Sequence, residues 1–358
     1  MIRAATILVQ KLHAAGEVHG IVSLGGSGGT SLAGNVMRAA LPFGMPKLIV
    51  STVASGDTSS FIGESDIVMV PSIVDIAGLN SLLRTVLENA AAAVVAMTRT
   101  YYHQLHSSPS PQEGSPSISG KERDKEKKKW RIAITMFGVT TPSVLTILSH
   151  LTTPPHTHEI FVFHATGTGG RAMERLINES RIDGVLDLTT TELADELVGG
   201  VMSAGPERLT AAAKMGVPQV VSLGALDMVN FGARESVPDR WAGRRLVVHN
   251  PSVTLMRTRV EECRTLGETL AGRLRENVKD GEDEGGGKMA EVWIPLRGIS
   301  MIAEKGGPFH DEEADEALFG AVREGLKGSG IKVVERDMTI NDPEFAIGMA
   351  ERLLEMLG

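Results

Sequence analysis

Two stretches of the chain run an apolar segment into a glycine-rich loop and then into a helix. They are GIVSLGGSGGTSLAG, from Gly20 to Gly34, and IFVFHATGTGGRAME, from Ile160 to Glu174. Glycine lets the backbone turn sharply and approach an anion, and the following helix offers unpaired N–H groups and the positive end of its dipole. The pattern predicts two phosphate-binding α/β units whose function lies at these loops.

The composition is that of a soluble globular protein, since 42% of the 358 residues are hydrophobic and 22% are charged. A net charge of −8 argues against nonspecific binding to nucleic acid or anionic membranes. The single cysteine, Cys263, excludes an intramolecular disulfide and a cysteine-rich zinc module, and we interpret it as a buried structural thiol. No two histidines have zinc-ligand spacing, so no metal site is predicted. Without a signal-peptide pattern or a membrane-spanning apolar run, the chain is predicted to be cytoplasmic.

Strands alternate with helices along most of the chain, which predicts an α/β fold with doubly wound parallel sheets. We expect a partial nucleotide-binding domain over residues 1–100, a disordered linker or insertion rich in serine, proline and charge over 101–129, and a second domain over 130–358. A second insertion, DGEDEGGG, is rich in glycine and acidic residues and lies between Lys279 and Lys288. In such sheets ligands collect beyond the carboxyl ends of the strands, where the polar loops would form one candidate surface.

The main elements can be placed from the pattern of apolar residues. We predict a long helix from Leu79 to Met97 and a last helix that begins with Asp342 as its N-cap and Pro343 in its first turn. Each strand of the second domain should be followed by a loop and a helix. These strands lie in RIAITMFGVTTPS, EIFVFHATGTGG, GVLDLTTTELAD, QVVSLGALDMVN, RLVVHNPSVT, EVWIPLRGIS and IKVVER.

The first glycine loop, from Gly25 to Ser31, offers backbone donors and hydroxyls. It lacks a Walker lysine and misses the dinucleotide pattern, so we predict phosphate or another anion, with tight helix–strand packing as the alternative. The neighbouring loop STVASGD ends in Asp57, which either holds magnesium or caps the N–H groups of its own loop. The candidate binding residues of these two loops are Gly25, Gly26, Ser27, Gly28, Gly29, Thr30, Ser51, Thr52, Ser55, Gly56 and Asp57.

The second glycine loop, GTGGRA, fits G-x-G-x-x-A, and Asp187 stands twenty residues after Gly167, where a ribose-binding acid is expected. NAD is therefore an alternative ligand. Arg171 would counter a phosphate or carboxylate, or would be a surface arginine in the first turn of a helix. The candidate binding residues here are Gly167, Thr168, Gly169, Gly170 and Arg171.

A second hypothesis is that the protein is an enzyme. A cleft lined by His164, Arg171, Glu192, Asp195 and Asp227 would bind a carboxylate or phosphorylated metabolite and perform acid–base chemistry. Helix capping explains the hydroxyls and the three acids of TTTELADE without any function. The G-x-S-x-G, HExxH and kinase signatures do not occur in the sequence, so no specific reaction is predicted. The catalytic candidates are Glu192, Asp195 and Asp227.

A series of motifs follows one order along nearly the whole chain outside the two insertions. The motifs are GGSGGTSLA, PKLIVSTVASGD, SDIVMVPSIVDIAGLN, FGVTTPSV, FHATGTGGRAME, DLTTTELADELVGG, GALDMVNFG, HNPSVTLMRT, PLRGIS and GGPFHDEEAD. This ordered series resembles the ATP-binding domain family of the tomato mosaic virus resistance protein.

This resemblance implies two Rossmann-like subdomains facing a cleft, a homodimer, and ATP bound at the glycine loops with or without Mg²⁺. The nucleotide would regulate conformation or the binding of a protein partner. Relatives usually begin with a further strand-helix-strand region carrying a G-T-x-D-T-K-G-like loop, whereas this chain starts in the helix before GIVSLGGSGG. The first domain is therefore expected to be truncated and the second intact.

Overall fold

The chain is a mixed α/β protein built on parallel sheets, which confirms the predicted α/β class. The computed structural model describes residues 1–107, 129–276 and 289–358. It divides the chain into two compact units, unit 1 (Met1–Asp124) and unit 2 (Lys125–Gly358). Within the predicted linker, residues 108–128 lie outside the described residues, and so does the DGEDEGGG segment.

Unit 1 is a three-stranded parallel sheet in the order β1-β2-β3 with helices on both faces. Its alternating apolar residues explain the two faces, because successive strand side chains point to opposite sides. Ile49 packs with Met37 of one helix, while Leu48 and Val50 pack with Val94 of another. The elements are α1 (Ile2–Ala14), β1 (Ile21–Gly25), α2 (Ser27–Ala40), β2 (Lys47–Ser51), α3 (Ser59–Ile62), β3 (Val68–Pro71) and α4 (Ser81–His106).

Unit 2 contains a six-stranded parallel sheet and a separate three-stranded sheet. Its helices are α5 (Thr141–Thr152), α6 (Thr168–Asn178), α7 (Glu192–Val198), α8 (Ala211–Met215), α9 (Val260–Arg275), α10 (Glu312–Leu326) and α11 (Pro343–Leu357). Its strands are β4 (Arg131–Met136), β5 (Glu159–His164), β6 (Gly184–Thr189), β7 (Gln219–Gly224), β8 (Met228–Phe231), β9 (Leu246–Asn250), β10 (Val253–Arg257), β11 (Ala290–Pro295) and β12 (Lys332–Arg336). None of the described helices is both long enough and apolar enough to cross a membrane.

The six parallel strands are ordered β12-β11-β7-β6-β4-β5. The chain runs outward from β4 to β5, then returns to the other side of β4 and continues in the opposite direction through β6. Open α/β sheets bind ligands at such a reversal, beyond the carboxyl ends of the strands. Helices cover both faces, since Val221 packs in the cluster that holds α9 and α10, and its neighbour Val220 packs in the cluster that holds α5 and α11.

The prediction for RLVVHNPSVT was wrong. Instead of one parallel strand leading to a helix, this segment forms β9 and the start of β10, two strands of the antiparallel sheet ordered β8-β10-β9. The physical reason is a two-residue connection between the strands, where Asn250 Oδ1 accepts hydrogen bonds from the N–H and hydroxyl of Ser252. An asparagine turn of this kind joins neighbouring antiparallel strands directly.

Two helix ends differ in detail from the prediction. α4 begins at Ser81, where the Asn80 side chain accepts a hydrogen bond from Leu83 N, and it continues beyond Met97 to His106, into the segment assigned to the linker. The last helix does begin at Pro343, as its fixed φ favours a first helical position. Asp342 stands at the N-cap without a side-chain hydrogen bond to the helix.

The core of unit 2 can be tested on one helix. Ile147 of α5 is fully buried, whereas Leu145, two residues earlier, is 58% exposed. We expect Ile147→Ala to lower the free energy of unfolding by about 2–5 kcal/mol through lost apolar burial and a residual cavity. Leu145→Ala should change it by no more than about 0.5 kcal/mol. Urea denaturation of both variants measures the difference, and equal destabilisation would contradict the placement of α5.

Candidate functional site

The first glycine loop joins β1 to α2 and leaves the start of the helix open. Among the described residues, no side chain caps the first turn of α2, which begins at Ser27. Ser27, Gly28 and Gly29 are exposed, and a Cβ atom added at Gly28 would meet no atom within 4 Å. The N–H groups of this turn lie at the positive end of the helix dipole, so an anion can approach them without displacing protein atoms.

The structure brings the turn after β2 beside this loop, because β1 and β2 are parallel neighbours with Gly25 paired to Ser51. Thr52 N donates to the Gly25 carbonyl at 3.2 Å. The buried hydroxyls of Thr30 and Ser51 lie 2.6 Å apart. The two loops therefore form one continuous polar surface in unit 1, with Gly26 at its centre, where an added Cβ would contact only Thr52 Oγ1 at 3.5 Å.

Asp57 lies at the exposed far end of the second loop, next to exposed Ser55 and Gly56. Its Oδ1 accepts a hydrogen bond from Ser59 N at 2.9 Å. Hydrogen bonds from Ser59 lower the pKa of Asp57, so the carboxylate stays ionised. This contact matches the capping alternative for Asp57, and the magnesium alternative stays a prediction.

The second glycine loop, in unit 2, carries an internal carboxylate where a bound phosphate was predicted. Gly167 N and Gly170 N donate to Glu192 Oε1 at 2.6 Å and 3.0 Å. A Cβ atom at Gly170 would overlap the Glu192 carboxylate, and one at Gly169 would overlap the His164 carbonyl. These glycines are therefore required because protein atoms approach the backbone closely, and the start of α6 already has its anion.

Arg171, in the first turn of α6, points its guanidinium at the protein. Its Nη1 donates to the Ser203 carbonyl at 2.9 Å, and Nη2 lies 3.4 Å from Thr168 Oγ1. Because Gly167 has a positive φ of 86°, the chain enters α6 through a backbone conformation that glycine adopts readily. The loop geometry favours a structural role for these residues, while ligand binding by them stays a prediction.

Glu192 belongs to a buried ionic network centred on Arg208, whose side chain is fully buried. Arg208 Nε donates to Glu192 Oε2 at 2.7 Å. Its two terminal nitrogens donate to the two oxygens of Asp187 at 2.5 Å and 2.6 Å. Burial opposes the charge of Arg208, but the surrounding carboxylates raise its pKa well above the ordinary value. The arginine therefore stays charged and holds the acids in place.

The third acid of this network, Glu174, is tied to the start of α8. Its oxygens accept hydrogen bonds from Leu209 N at 2.6 Å, Ala211 N at 2.7 Å and Thr210 N at 3.2 Å. Burial raises the pKa of Glu174, while Arg208 and these N–H groups act in the opposite direction. Backbone donors thus compensate the negative charge that one arginine cannot balance alone.

The strand reversal between β4 and β6 is filled by hydroxyl side chains rather than by an open crevice. Thr140 Oγ1 lies 2.8 Å from Thr189 Oγ1, and Thr135 Oγ1 donates to Asp187 Oδ1 at 2.8 Å. Asp187 is 1% exposed and is already paired with Arg208. This arrangement gives Asp187 a structural partner in the place where the NAD alternative requires a ribose hydroxyl.

Two of the catalytic candidates, Asp195 and Asp227, are completely buried at separate points of unit 2. Asp195 accepts from Asn230 Nδ2 at 2.7 Å and from Met202 N at 3.0 Å. Asp227 Oδ2 accepts from the Ser300 hydroxyl at 2.8 Å. Asp227 Oδ1 has no partner among the described residues, and burial raises the pKa of Asp227.

A cavity of about 820 Å³ in unit 2 lies at the carboxyl ends of β11 and β12. It is bordered by His310, Arg297, Lys305 and Asp315. Burial raises the pKa of Asp315 to about 6, while the positive charge of Arg257 acts in the opposite direction. Arg257 Nη2 lies 2.6 Å from Asp315 Oδ1.

Cys263 is buried, as interpreted from the sequence, and burial raises the pKa of its thiol to about 11. A thiol in this state is a poor nucleophile near neutral pH. Sequence reasoning missed Arg208 and Glu174. Arg208 stands in a polar loop with no local pattern that marks a buried side chain, whereas Glu174 carried a signal, because it shares the buried helix face of Met173 and Ile177.

The fold and these sites define a mixed α/β protein whose parallel sheets end in polar glycine loops. The chain belongs to the uncharacterised protein family UPF0261. Residues 1–103 match the N-terminal domain of that family, and residues 129–357 match its C-terminal domain.

Similar proteins occur in bacteria and in a plant. The UPF0261 protein of Clostridium tetani is 44% identical over 100% of this chain and 80% of its own length. The UPF0261 protein mlr3387 of Mesorhizobium japonicum is 45% identical over 93% of this chain and 76% of its own. The ToMV susceptible protein tm-1(GCR26) of Solanum lycopersicum is 39% identical over 99% of this chain, which spans 44% of that protein. The resemblance to the tomato mosaic virus resistance proteins is therefore confirmed, whereas ATP binding and Rossmann-like units stay predictions.

The network around Arg208 makes a strong prediction about stability. Arg208→Met should lower the free energy of unfolding by about 3–5 kcal/mol, because it leaves buried carboxylates without their cation. Arg234→Met removes an exposed arginine and should change it by no more than about 0.5 kcal/mol. Urea denaturation compares the two, and a stable Arg208→Met variant would contradict the network.

Asp195 should make stability depend on pH. Burial raises its pKa from 3.8 to about 7, while hydrogen bonds from Asn230 and Met202 act in the opposite direction. The folded state therefore binds more protons than the unfolded state between these values, and this group makes stability fall as the pH rises from about 4 to about 7.

Asp195→Asn should flatten that part of the pH profile, measured as the urea midpoint at a series of pH values. Asn230 Oδ1 has no partner among the described residues. If the Asn230 amide rotates by about 180°, this oxygen can accept a hydrogen bond from the amide nitrogen of the new asparagine. Asp239→Asn alters an exposed aspartate and should leave the profile unchanged. Identical profiles for wild type and Asp195→Asn would show that Asp195 does not titrate in this range.

Proposed function

We propose that the chain binds ATP through the first glycine loop of unit 1. The observation that carries this proposal is the open start of α2, where exposed Gly28 leaves the N–H groups of the first helical turn accessible. Phosphate binds such a turn through backbone donors and the helix dipole. Thr30 and Ser51 place two hydroxyls beside the same turn.

The contrast with the second glycine loop supports this choice. In GTGGRA the N–H groups of Gly167 and Gly170 already donate to Glu192, and protein atoms fill the space around the glycines. In GGSGGTS the space over Gly28 is open. A phosphate would have to displace a buried carboxylate at the second loop, whereas at the first loop it replaces only solvent.

The side chains around the first loop also suit Mg²⁺ carried with the nucleotide. Mg²⁺ is usually held by one or two protein oxygens together with water and phosphate. Thr52 supplies a partly exposed hydroxyl beside Gly26, and ionised Asp57 ends the same segment. We therefore propose that ATP binds as its magnesium complex, with these oxygens contacting the metal directly or through water.

Family membership supports the same ligand, because ATP binding is what the resemblance to the tomato mosaic virus resistance protein family implies. The proposal includes Rossmann-like character for both units, whose parallel sheets carry helices on both faces. The buried and partnered state of Glu192 and Asp195 favours regulation by bound nucleotide over its turnover. A homodimer and a protein partner remain predictions.

An enzyme acting on a carboxylate or phosphorylated metabolite is the second candidate. Asp227 favours it, since the pKa of this acid is raised by burial and its Oδ1 lacks a partner among the described residues. A proton donor of this kind needs a substrate within hydrogen-bond reach. If the wild-type protein turns over a metabolite and Asp227→Asn does not, the enzyme hypothesis is supported over ATP binding alone.

Gly28→Val tests the leading proposal. A Cβ atom added at this position meets no protein atom within 4 Å, so the variant should fold, but the branched methyl groups would stand where the phosphate approaches. We expect ATP affinity to fall at least about tenfold, corresponding to roughly 1.4 kcal/mol. Calorimetric titration of the full chain with ATP, with and without Mg²⁺, measures the loss, and NAD serves as the comparison ligand.

Gly272→Val is the matched control, because Gly272 is an exposed helical glycine of α9 in unit 2 with no atom near its Cβ position. It should leave ATP affinity unchanged. Equal affinity in wild type and a folded Gly28→Val variant would refute the first-loop site. Tighter binding of NAD than of ATP would favour the dinucleotide alternative.

A further inference from the structure

Three potential metal ligands meet at the amino-terminal ends of the strands of the unit 2 sheet, on the opposite side of the sheet from the second glycine loop. His150 lies in the last turn of α5, His156 in the connection from α5 to β5, and Glu351 in α11. One ligand atom from each side chain lies within 4.8 Å of the other two. His150 Nε2 is 2.5 Å and His156 Nε2 is 3.6 Å from the same oxygen, Glu351 Oε1.

The fold holds these side chains together through the packing of two helices. Ile147 and Leu151 of α5 share a buried cluster with Met349 and Leu353 of α11. His150 and Glu351 stand on the rim of that contact, where their side chains are 25% and 47% exposed. The core therefore fixes the distance between the two helices, and the polar pair lies at its edge.

The connecting loop adds the second imidazole. His156 N donates to the Thr153 carbonyl at 3.0 Å, which turns the chain back toward α5. The rings of His150 and His156 have centroids 4.9 Å apart and planes inclined by 47°. His156 is 23% exposed, so the three ligand atoms face a region that solvent reaches.

This set has the composition of a transition-metal site. Imidazole nitrogen and carboxylate oxygen bind Zn²⁺ at about 2.0–2.2 Å, and tetrahedral geometry then separates the ligand atoms by about 3.4 Å. The separation of 3.6 Å between His156 Nε2 and Glu351 Oε1 fits this value. The 2.5 Å contact of His150 is a hydrogen bond that must open by roughly 1 Å when a metal enters.

A hydrogen-bonded pair of His150 and Glu351 explains one contact but does not involve His156, whose Nε2 lies 3.6 Å from the same carboxylate oxygen. A divalent cation shared by both imidazoles and the carboxylate accounts for the meeting of all three side chains, whose ligand atoms lie within 4.8 Å of one another.

We propose that His150, His156 and Glu351 form a binding site for a divalent transition metal, with zinc as the metal that this ligand set suits best. Three protein ligands leave a fourth position to water, as in open zinc sites. The bound ion links α5, the following loop and α11, so it stabilises folded unit 2 against a chain that has no such site when unfolded. The site is independent of the proposed nucleotide site, which lies in unit 1.

His158 is excluded from the ligand set, although its ring is 5.9 Å from that of His156. Its Nδ1 accepts a hydrogen bond from Trp130 N at 3.3 Å. That bond places the proton of a neutral ring on Nε2, which then cannot bind a metal without losing it. His158 instead anchors the loop to the start of β4.

The test uses the full chain freed of metal and titrated with Zn²⁺ by calorimetry near neutral pH. We expect one equivalent to bind and the thermal midpoint of unfolding to rise with zinc concentration. His156→Ala and Glu351→Gln should each weaken binding at least about tenfold, the lower end of what loss of even an outer-shell partner causes. His249→Gln, which removes an exposed histidine on β9, should bind zinc like wild type.

Co²⁺ gives a second readout, because visible absorption typical of tetrahedral nitrogen and oxygen ligands should appear in wild type and in His249→Gln but not in Glu351→Gln. Far-UV circular dichroism checks that the ligand variants are folded. The proposal is overturned if wild type binds no zinc, or if folded His156→Ala and Glu351→Gln retain wild-type affinity, since any bound zinc would then lie elsewhere.

Discussion

The interaction on which unit 2 depends is the buried contact of Arg208 with Glu192 and Asp187. One carboxylate of this network also receives the N–H groups of Gly167 and Gly170 at the start of α6. A helix terminus, the end of β6 and a distant loop are thereby fixed to a single cation. Each member is costly to bury alone, so the arrangement is stable only when complete. The glycines of the second loop follow from this constraint, because a side chain there would occupy the place of Glu192.

The two glycine loops show how similar sequences can end in different physical states. Both place a strand, glycines, hydroxyls and a helix in the same order. What separates them is an acidic side chain more than twenty residues away, Glu192, that reaches back to one helix and has no counterpart at Gly28 among the described residues. A helix dipole attracts whichever anion is present, and an internal carboxylate competes with a ligand for the same N–H groups. The open loop is therefore the better candidate for nucleotide phosphate.

Local patterns were sufficient for most elements and for the neighbouring position of Gly25 and Ser51, because parallel strands bring their carboxyl ends to one edge. They failed after β7, which is followed by strand β8 and not by a helix, and at the β9–β10 hairpin, where the Asn250 turn was interpreted as the loop before a helix. Arg208 could not be foreseen as a buried residue, since its partners come from three distant elements. Propensity and periodicity describe neighbours in sequence, whereas burial of a charge depends on long-range geometry.

The same limit explains why ligand spacing along the sequence did not indicate His150, His156 and Glu351. A spacing rule detects ligands on one turn or hairpin, but Glu351 reaches the histidines only through the packing of α11 against α5. The apolar faces of these helices thus determine a polar geometry at their rim. The proposed cation site is positioned by the packing of α5 against α11 in unit 2. The proposed nucleotide site is positioned by the pairing of β1 with β2 in unit 1.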